Sequence, residues 1–99
     1  MKPPIIYSLV LCVLAKLKEP VYGYSLMTDL ANTGVIIEAN TLYPLLRRLE
    51  EQRLLKSEWN TNAAKPRKYY SVTPFGAQLL DELKDIWKTT VKNMDRILE

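Results

Sequence analysis

The chain has 99 residues, an apolar fraction of 47% and a net charge of +3 at neutral pH, which together describe one small globular domain rather than a disordered or fibrous chain. It contains no histidine and a single cysteine, Cys12, so a thiolate–imidazole zinc site and a histidine-based catalytic triad are both excluded. The lone thiol cannot pair within the chain and suits a reducing cytoplasm as a small core residue, while a core this modest favours association with a second copy.

The first apolar run, IIYSLVLCVLA, follows Met1-Lys2 and Pro3-Pro4 and superficially resembles an export signal. One lysine makes a poor basic region, and Leu11 is too bulky for the cleavage site that would precede Cys12. The run is also too short to span a bilayer. A buried helix is predicted instead, from about Ile5 to Lys18, opened by the two prolines and stopped by Glu19-Pro20. Ile6, Leu9, Val10, Val13 and Leu14 are apolar on one side, and Ile5, Leu11 and Cys12 fill the other. A helix without a polar face is sandwiched between two surfaces. One surface is expected to belong to a second subunit, met through Ile6, Leu9 and Val10.

In YGYSLMTDLANTG, Gly23 permits a turn, and Leu26, Met27 and Leu30 mark a short amphipathic helix closed by Gly34. Tyr22 is expected to pack beneath the turn and Tyr24 to touch phosphate. After the link Val35-Ile36-Ile37, a third helix should begin near Asn40 or Thr41, both good N-caps, with Pro44 in its first turn. Leu42, Leu45, Leu46 and Leu49 share one face at helical spacing. Asn40, Pro44, Arg47 and Glu51 occupy the opposite face, flanked by Tyr43 and Arg48.

Leu55 to Asn60 and Arg67 to Val72 read as two strands joined by a six-residue loop. Leu55 and Trp59 should share one face, and Tyr70 and Val72 should turn toward the core. Thr73 is an N-cap and Pro74 a first helical residue for a last helix that runs almost to Glu99. In it, Leu80, Leu83, Trp87, Thr90, Met94 and Ile97 recur at spacings of 3, 4, 3, 4 and 3, a coiled-coil-like seam. The predicted fold is mainly α with a two-stranded β-wing: a winged helix-turn-helix over residues 1–73, and a C-terminal dimerisation helix over 74–99.

In this order YGYSLMTDL, TLYPLLRRLE and KPRKYYSVTPFG resemble the bacterial PadR-like transcriptional regulators, from Ile6 to about Trp87. The resemblance implies a winged helix-turn-helix that binds operator DNA and dimerises through its C-terminal helix. Some small relatives bind flat aromatic compounds between subunits, stacked on tryptophans of that helix, and Trp87 matches that position. A cavity there would be lined by Tyr7, Cys12 and Asp95. Two departures stand out. Arg53 replaces a frequent glycine after the recognition helix, and the wing tip is Asn62-Ala63-Ala64 rather than glycine-rich.

The charge pattern agrees with that resemblance. Arg47, Arg48, Arg53, Lys56, Lys65, Arg67 and Lys68 face only Glu50, Glu51 and Glu58 within residues 47–73, and the remainder of the chain carries no cationic surplus. A local basic stripe is an electrostatic footprint for phosphate. Thr41, Tyr43 and Arg47 supply donors near the start of the recognition helix. Arginine can address guanine O6 and N7 with two hydrogen bonds, whereas tyrosine more readily positions the helix through phosphate. Lys65, Arg67 and Lys68 on the wing would displace condensed cations. The DNA-binding set is therefore Tyr24, Asn40, Thr41, Tyr43, Arg47, Arg48, Lys65, Arg67 and Lys68. The dimer set is Ile6, Leu9, Val10, Leu80, Leu83, Trp87, Met94 and Ile97. No catalytic residue, metal or cofactor is expected. The partners are double-stranded operator DNA, a second copy and a small aromatic effector, with no membrane. The alternative is a winged-helix protein-interaction module that does not use DNA.

Overall fold

The computed structural model describes residues 4–62 and 64–99, with side chains from Ser8 onward. Expectations for the side chains of Ile5, Ile6 and Tyr7, for Pro3 and for Ala63 fall outside the described residues. The elements in chain order are α1 (Pro4–Lys16), β1 (Val21–Tyr22), α2 (Gly23–Asn32), α3 (Ala39–Glu51), β2 (Leu55–Asn60), β3 (Arg67–Val72) and α4 (Pro74–Leu98). Val13, Leu14 and Leu17 of α1 and its end, Leu26 and Leu30 of α2, Leu42, Leu46 and Leu49 of α3, and Leu80 and Leu83 of α4 converge with Leu54, Leu55 and Tyr70 in one core. Leucine dominates because a side chain branched at Cγ but not at Cβ fills helix–helix interfaces with little loss of helix propensity.

The hairpin is bounded as its alternation implies, and it pairs antiparallel from Leu55↔Val72 to Asn60↔Arg67. A third strand joins it. Val21 pairs with Tyr70 and Tyr22 with Tyr69, giving the order β1-β3-β2. The predicted two-stranded wing is thus part of a three-stranded sheet, because the segment after Pro20 is extended and covers one edge of β3. Trp59 shares the strand parity of Leu55 but is 62% exposed. The hairpin reaches beyond the core, so its outer residues have nothing to bury against.

α2 and α3 end alike. After α2, the Gly34 amide donates to Ala31 O and that of Val35 to Leu30 O, with Gly34 at φ +94°. After α3, the Arg53 amide donates to Glu50 O and that of Leu54 to Leu49 O, with Arg53 at φ 62°. Both are Schellman terminations, which place one residue in the left-handed region. The first uses glycine; the second holds an arginine where a β-carbon is unfavourable.

Three local expectations need correction. α3 starts at Ala39 with Glu38 as N-cap, so Asn40 and Thr41 lie inside the first turn rather than capping it. Pro44 is consequently beyond the first turn, and the helix forgoes the bond that residue 44 would donate to the Asn40 carbonyl. Gly23 makes no left-handed turn: it is the buried first residue of α2, and a β-carbon there would lie 3.3 Å from Tyr43 Cε1 and 3.5 Å from a ring carbon of Tyr70. Its small size lets α2 approach α3 and β3.

α4 starts as expected. The Thr73 hydroxyl accepts from the Gly76 amide at 3.0 Å and donates to the Arg53 carbonyl at 2.6 Å. The Thr73 amide donates to Leu54 O at 3.0 Å. These bonds lock the first turn of α4 onto the turn that follows α3. Its distal half runs away from the body, with Ile86, Trp87, Val91, Met94, Ile97 and Leu98 exposed and overall dimensions of 55 × 26 × 22 Å. No helix among the described residues is long and apolar enough to cross a membrane.

Candidate nucleic-acid interface

The recognition-helix candidate is α3. Its buried stripe of Leu42, Leu46 and Leu49 leaves Asn40, Thr41, Pro44, Arg47, Arg48 and Glu51 exposed. An amphipathic helix anchored on one side in this way presents a rigid polar face. Tyr43 stands at the edge of that face, half-buried against Gly23 and near Tyr70. Burial raises its phenol pKa above the ordinary value, and the neighbouring Tyr22, Tyr70 and Tyr24 add to this. Its ring serves packing, and its hydroxyl stays protonated in the physiological range as a potential donor.

The hairpin sorts its cations by strand parity. Arg67 and Tyr69 share one face with Tyr22 across the β1–β3 pair. The Arg67 guanidinium sits 5.1 Å from the Tyr22 ring centre, and Tyr22 lies 6.1 Å from the Tyr69 ring and 6.3 Å from that of exposed Tyr24. Arg67 is therefore held by an aromatic surface while remaining exposed. Lys68 occupies the opposite face. Its ammonium is 3.7 Å from Glu50 Oε1 and 5.3 Å from the Tyr70 ring centre. The Ser57 hydroxyl donates to Glu50 Oε2. Lys65 in the loop is exposed. At the base of the loop, Pro20, Glu58, Trp59, Asn60, Thr61, Asn62 and Tyr69 line a shallow depression of about 380 Å³.

The structure thus brings Asn40, Thr41, Arg47 and Arg48 onto the solvent side of α3, and leaves Tyr24 exposed beside the Tyr22–Tyr69 face. The Glu50–Ser57–Lys68 contact was not visible in the sequence, because its members are far apart along the chain and belong to three elements. Strand parity alone would have put Lys68 on the side opposite Arg67.

A compact helical core, a third helix with an exposed polar face and an adjacent basic hairpin define a winged helix-turn-helix fold. Residues 10–82 match the model of the transcriptional regulator PadR-like family, and the chain belongs to that family. A PadR family transcriptional regulator of Eggerthella lenta is 50% identical, with a TM-score of 0.88 over 93% of this chain and 82% of that one. A PadR family regulator of Clostridium difficile is 28% identical, with a TM-score of 0.84 over 91% of this chain and 97% of that one. A transcriptional regulator of Mycobacterium tuberculosis is 39% identical across 62 residues, 63% of this chain and 58% of its own length. The match therefore spans little more than half of that mycobacterial protein.

Proposed function

We propose that the protein is a cytoplasmic, homodimeric repressor that binds operator DNA through α3 and the β2–β3 wing. The observation that carries this reading is the exposed polar face of α3, with Arg47 and Arg48, beside a wing bearing Lys65 and Arg67 in the one segment that holds the cationic surplus. In it, Asn40, Thr41 and Arg47 meet base edges in the major groove, while Tyr24, Arg48, Lys65 and Arg67 meet phosphate. Tyr43 fixes the helix and offers its hydroxyl at the groove margin.

Dimerisation uses the exposed apolar row of α4, from Trp87 through Met94 to Ile97, together with Leu9 and Val10 of α1. Met94 is 46% exposed and Ile97 73%, apolar surface that water solvates poorly. Two copies joined there present two recognition helices at a fixed spacing. Occupation of a promoter blocks transcription.

Trp87 is 45% exposed on the same row, and two copies would offer facing indoles to a planar aromatic effector. Such an effector relieves repression only by binding one spacing of the recognition helices better than the other. The test is a mobility shift with duplex DNA at graded salt. A log affinity that falls linearly with log salt supports the reading, whereas no shift even at low salt favours a protein-interaction module. Quenching of indole emission by flat dyes, lost in Trp87→Phe and retained in Trp59→Phe, tests the effector site.

A further inference from the structure

Among the charged groups on the wing side of α3, Glu50 is bonded to both strands of the hairpin. Glu50 and Tyr43 lie two helical turns apart on the flank that meets the sheet. Tyr43 lies beside Gly23 and near Tyr70, and the Glu50 carboxylate receives the Ser57 hydroxyl from β2 and the Lys68 ammonium from β3. Ser57 pairs with Tyr70 across the strands, and Lys68 lies over the Tyr70 ring. One carboxylate therefore links the last turn of the recognition helix to the wing, and it also draws a wing cation inward. Glu82, by contrast, is an exposed carboxylate on α4, on neither α3 nor the hairpin.

We propose that Glu50 is a specificity-determining positioning residue: it fixes the angle between recognition helix and wing, and it withholds Lys68 from phosphate. The inference rests on the DNA-binding reading above. Its energetic basis is geometric rather than a strong ion pair. Both side chains are about a third exposed, and such pairs contribute little to stability. Their effect is to restrict where the hairpin points and how many cations it offers. A phosphate contact that does not depend on sequence raises affinity for all duplexes alike, so a free Lys68 would dilute discrimination. Held by Glu50, it adds nothing to non-specific binding.

The experiment measures affinity for two duplexes across a salt series. One duplex is selected from a random pool by the wild-type protein; the other is unselected. Glu50→Gln keeps an acceptor for Ser57 and breaks the ion pair. It should steepen the plot of log affinity against log salt by about 0.9, roughly eightfold in affinity for each tenfold fall in salt, on both duplexes. The ratio of selected to unselected affinity should fall. Glu82→Gln on α4 removes the same charge from neither α3 nor the wing, and it should leave slope and ratio unchanged. Ser57→Ala frees the other tether alone, so the ratio should fall with no change in slope. Lys68→Gln should not alter the wild-type slope. The inference is overturned if Glu50→Gln and Glu82→Gln behave alike, or if Lys68→Gln flattens the slope by about 0.9, since Lys68 would then already be on phosphate. Absence of any salt-dependent binding by the wild type would instead defeat the DNA-binding reading itself, and the inference with it.

Discussion

Of the three glycines, Gly76, in the first turn of α4, has the least room. A β-carbon there would lie 2.1 Å from the Leu54 carbonyl oxygen, 3.0 Å from the Leu54 carbonyl carbon and 3.0 Å from Val72 Cγ2. The oxygen is backbone and cannot swing aside as a flexible side chain would. It also accepts from the Thr73 amide at 3.0 Å and lies 3.2 Å from the Thr73 hydroxyl. Relieving the clash in Gly76→Ala requires α4 to move by about an ångström, which strains the core contacts of Leu80 and Leu83 at a cost of roughly 1–3 kcal/mol. It also stretches the Thr73 cap on the Gly76 amide, worth about 1 kcal/mol. Alanine's better helix propensity returns up to about 1 kcal/mol, so a net loss of about 1–3 kcal/mol is expected, or roughly 4–24 °C in Tm for a domain of this size. Thermal and urea unfolding at one fixed protein concentration measure this, with exposed Gln78→Ala as the control. Fixed concentration matters because dimerisation makes apparent stability concentration-dependent. A Gly76→Ala protein melting within about 2 °C of wild type would refute the close approach of α4 to the Leu54 carbonyl.

Arg53→Gly should stabilise the protein by about 0.5–1 kcal/mol, because relief of left-handed strain exceeds glycine's larger chain entropy; urea midpoints with unchanged slope would show it. Burial raises the Tyr43 pKa, so the neutral phenol is favoured in the folded state. Its contribution is complete below the unfolded value near 10 and declines as pH rises past it; Tyr43→Phe should flatten the alkaline loss of stability in melts from pH 8 to 11. Arg47→Ala should cost roughly 1–3 kcal/mol on a selected duplex and relax preference at one position, whereas Lys65→Ala should weaken all duplexes alike and flatten the salt slope. Titrations on both duplexes distinguish these outcomes. Met94→Glu with Ile97→Glu places carboxylates on the proposed dimer row and should yield a folded monomer in sedimentation at micromolar concentration.

The parts of the fold that were legible in the sequence are those governed by local rules. Thr73-Pro74 announces α4 because a side-chain cap and a proline at the first helical position need only their neighbours. The hairpin shows itself through alternation on either side of a polar loop. Gly34 marks the end of α2 because its left-handed φ suits a residue without a β-carbon. Arg53 hides the equivalent end of α3, where the same hydrogen-bond pattern is built around an unfavourable residue. β1 has two residues, too few for any periodicity to appear. The start of α3 was displaced because Asn40 and Thr41 have the chemistry of caps, yet the chain turns helical at Ala39 with Glu38 contributing no side-chain bond.

For the candidate interface, the exposed face of α3 followed from its leucine spacing, and the basic wing from composition. The division of labour among the wing cations did not. Arg67 over Tyr22 depends on the pairing of β1 with β3, and Lys68 on Glu50 depends on how α3 lies against the sheet. Both are tertiary facts that charge counting treats as equal members of one stripe. The exposed row of α4 was legible as a 3-4 repeat, and the single chain leaves its distal members uncovered.

The most direct test of a dimeric operator-binding regulator is selection of duplexes from a random pool, followed by titration of the winner with stoichiometry and salt dependence measured together. The expected result is enrichment of a pseudo-palindrome whose half-sites lie about one helical turn, roughly 10 bp, apart. Two chains should bind each duplex, with affinity falling linearly in log salt. A pool that emerges unenriched, together with a protein that binds no duplex in low salt, would contradict it.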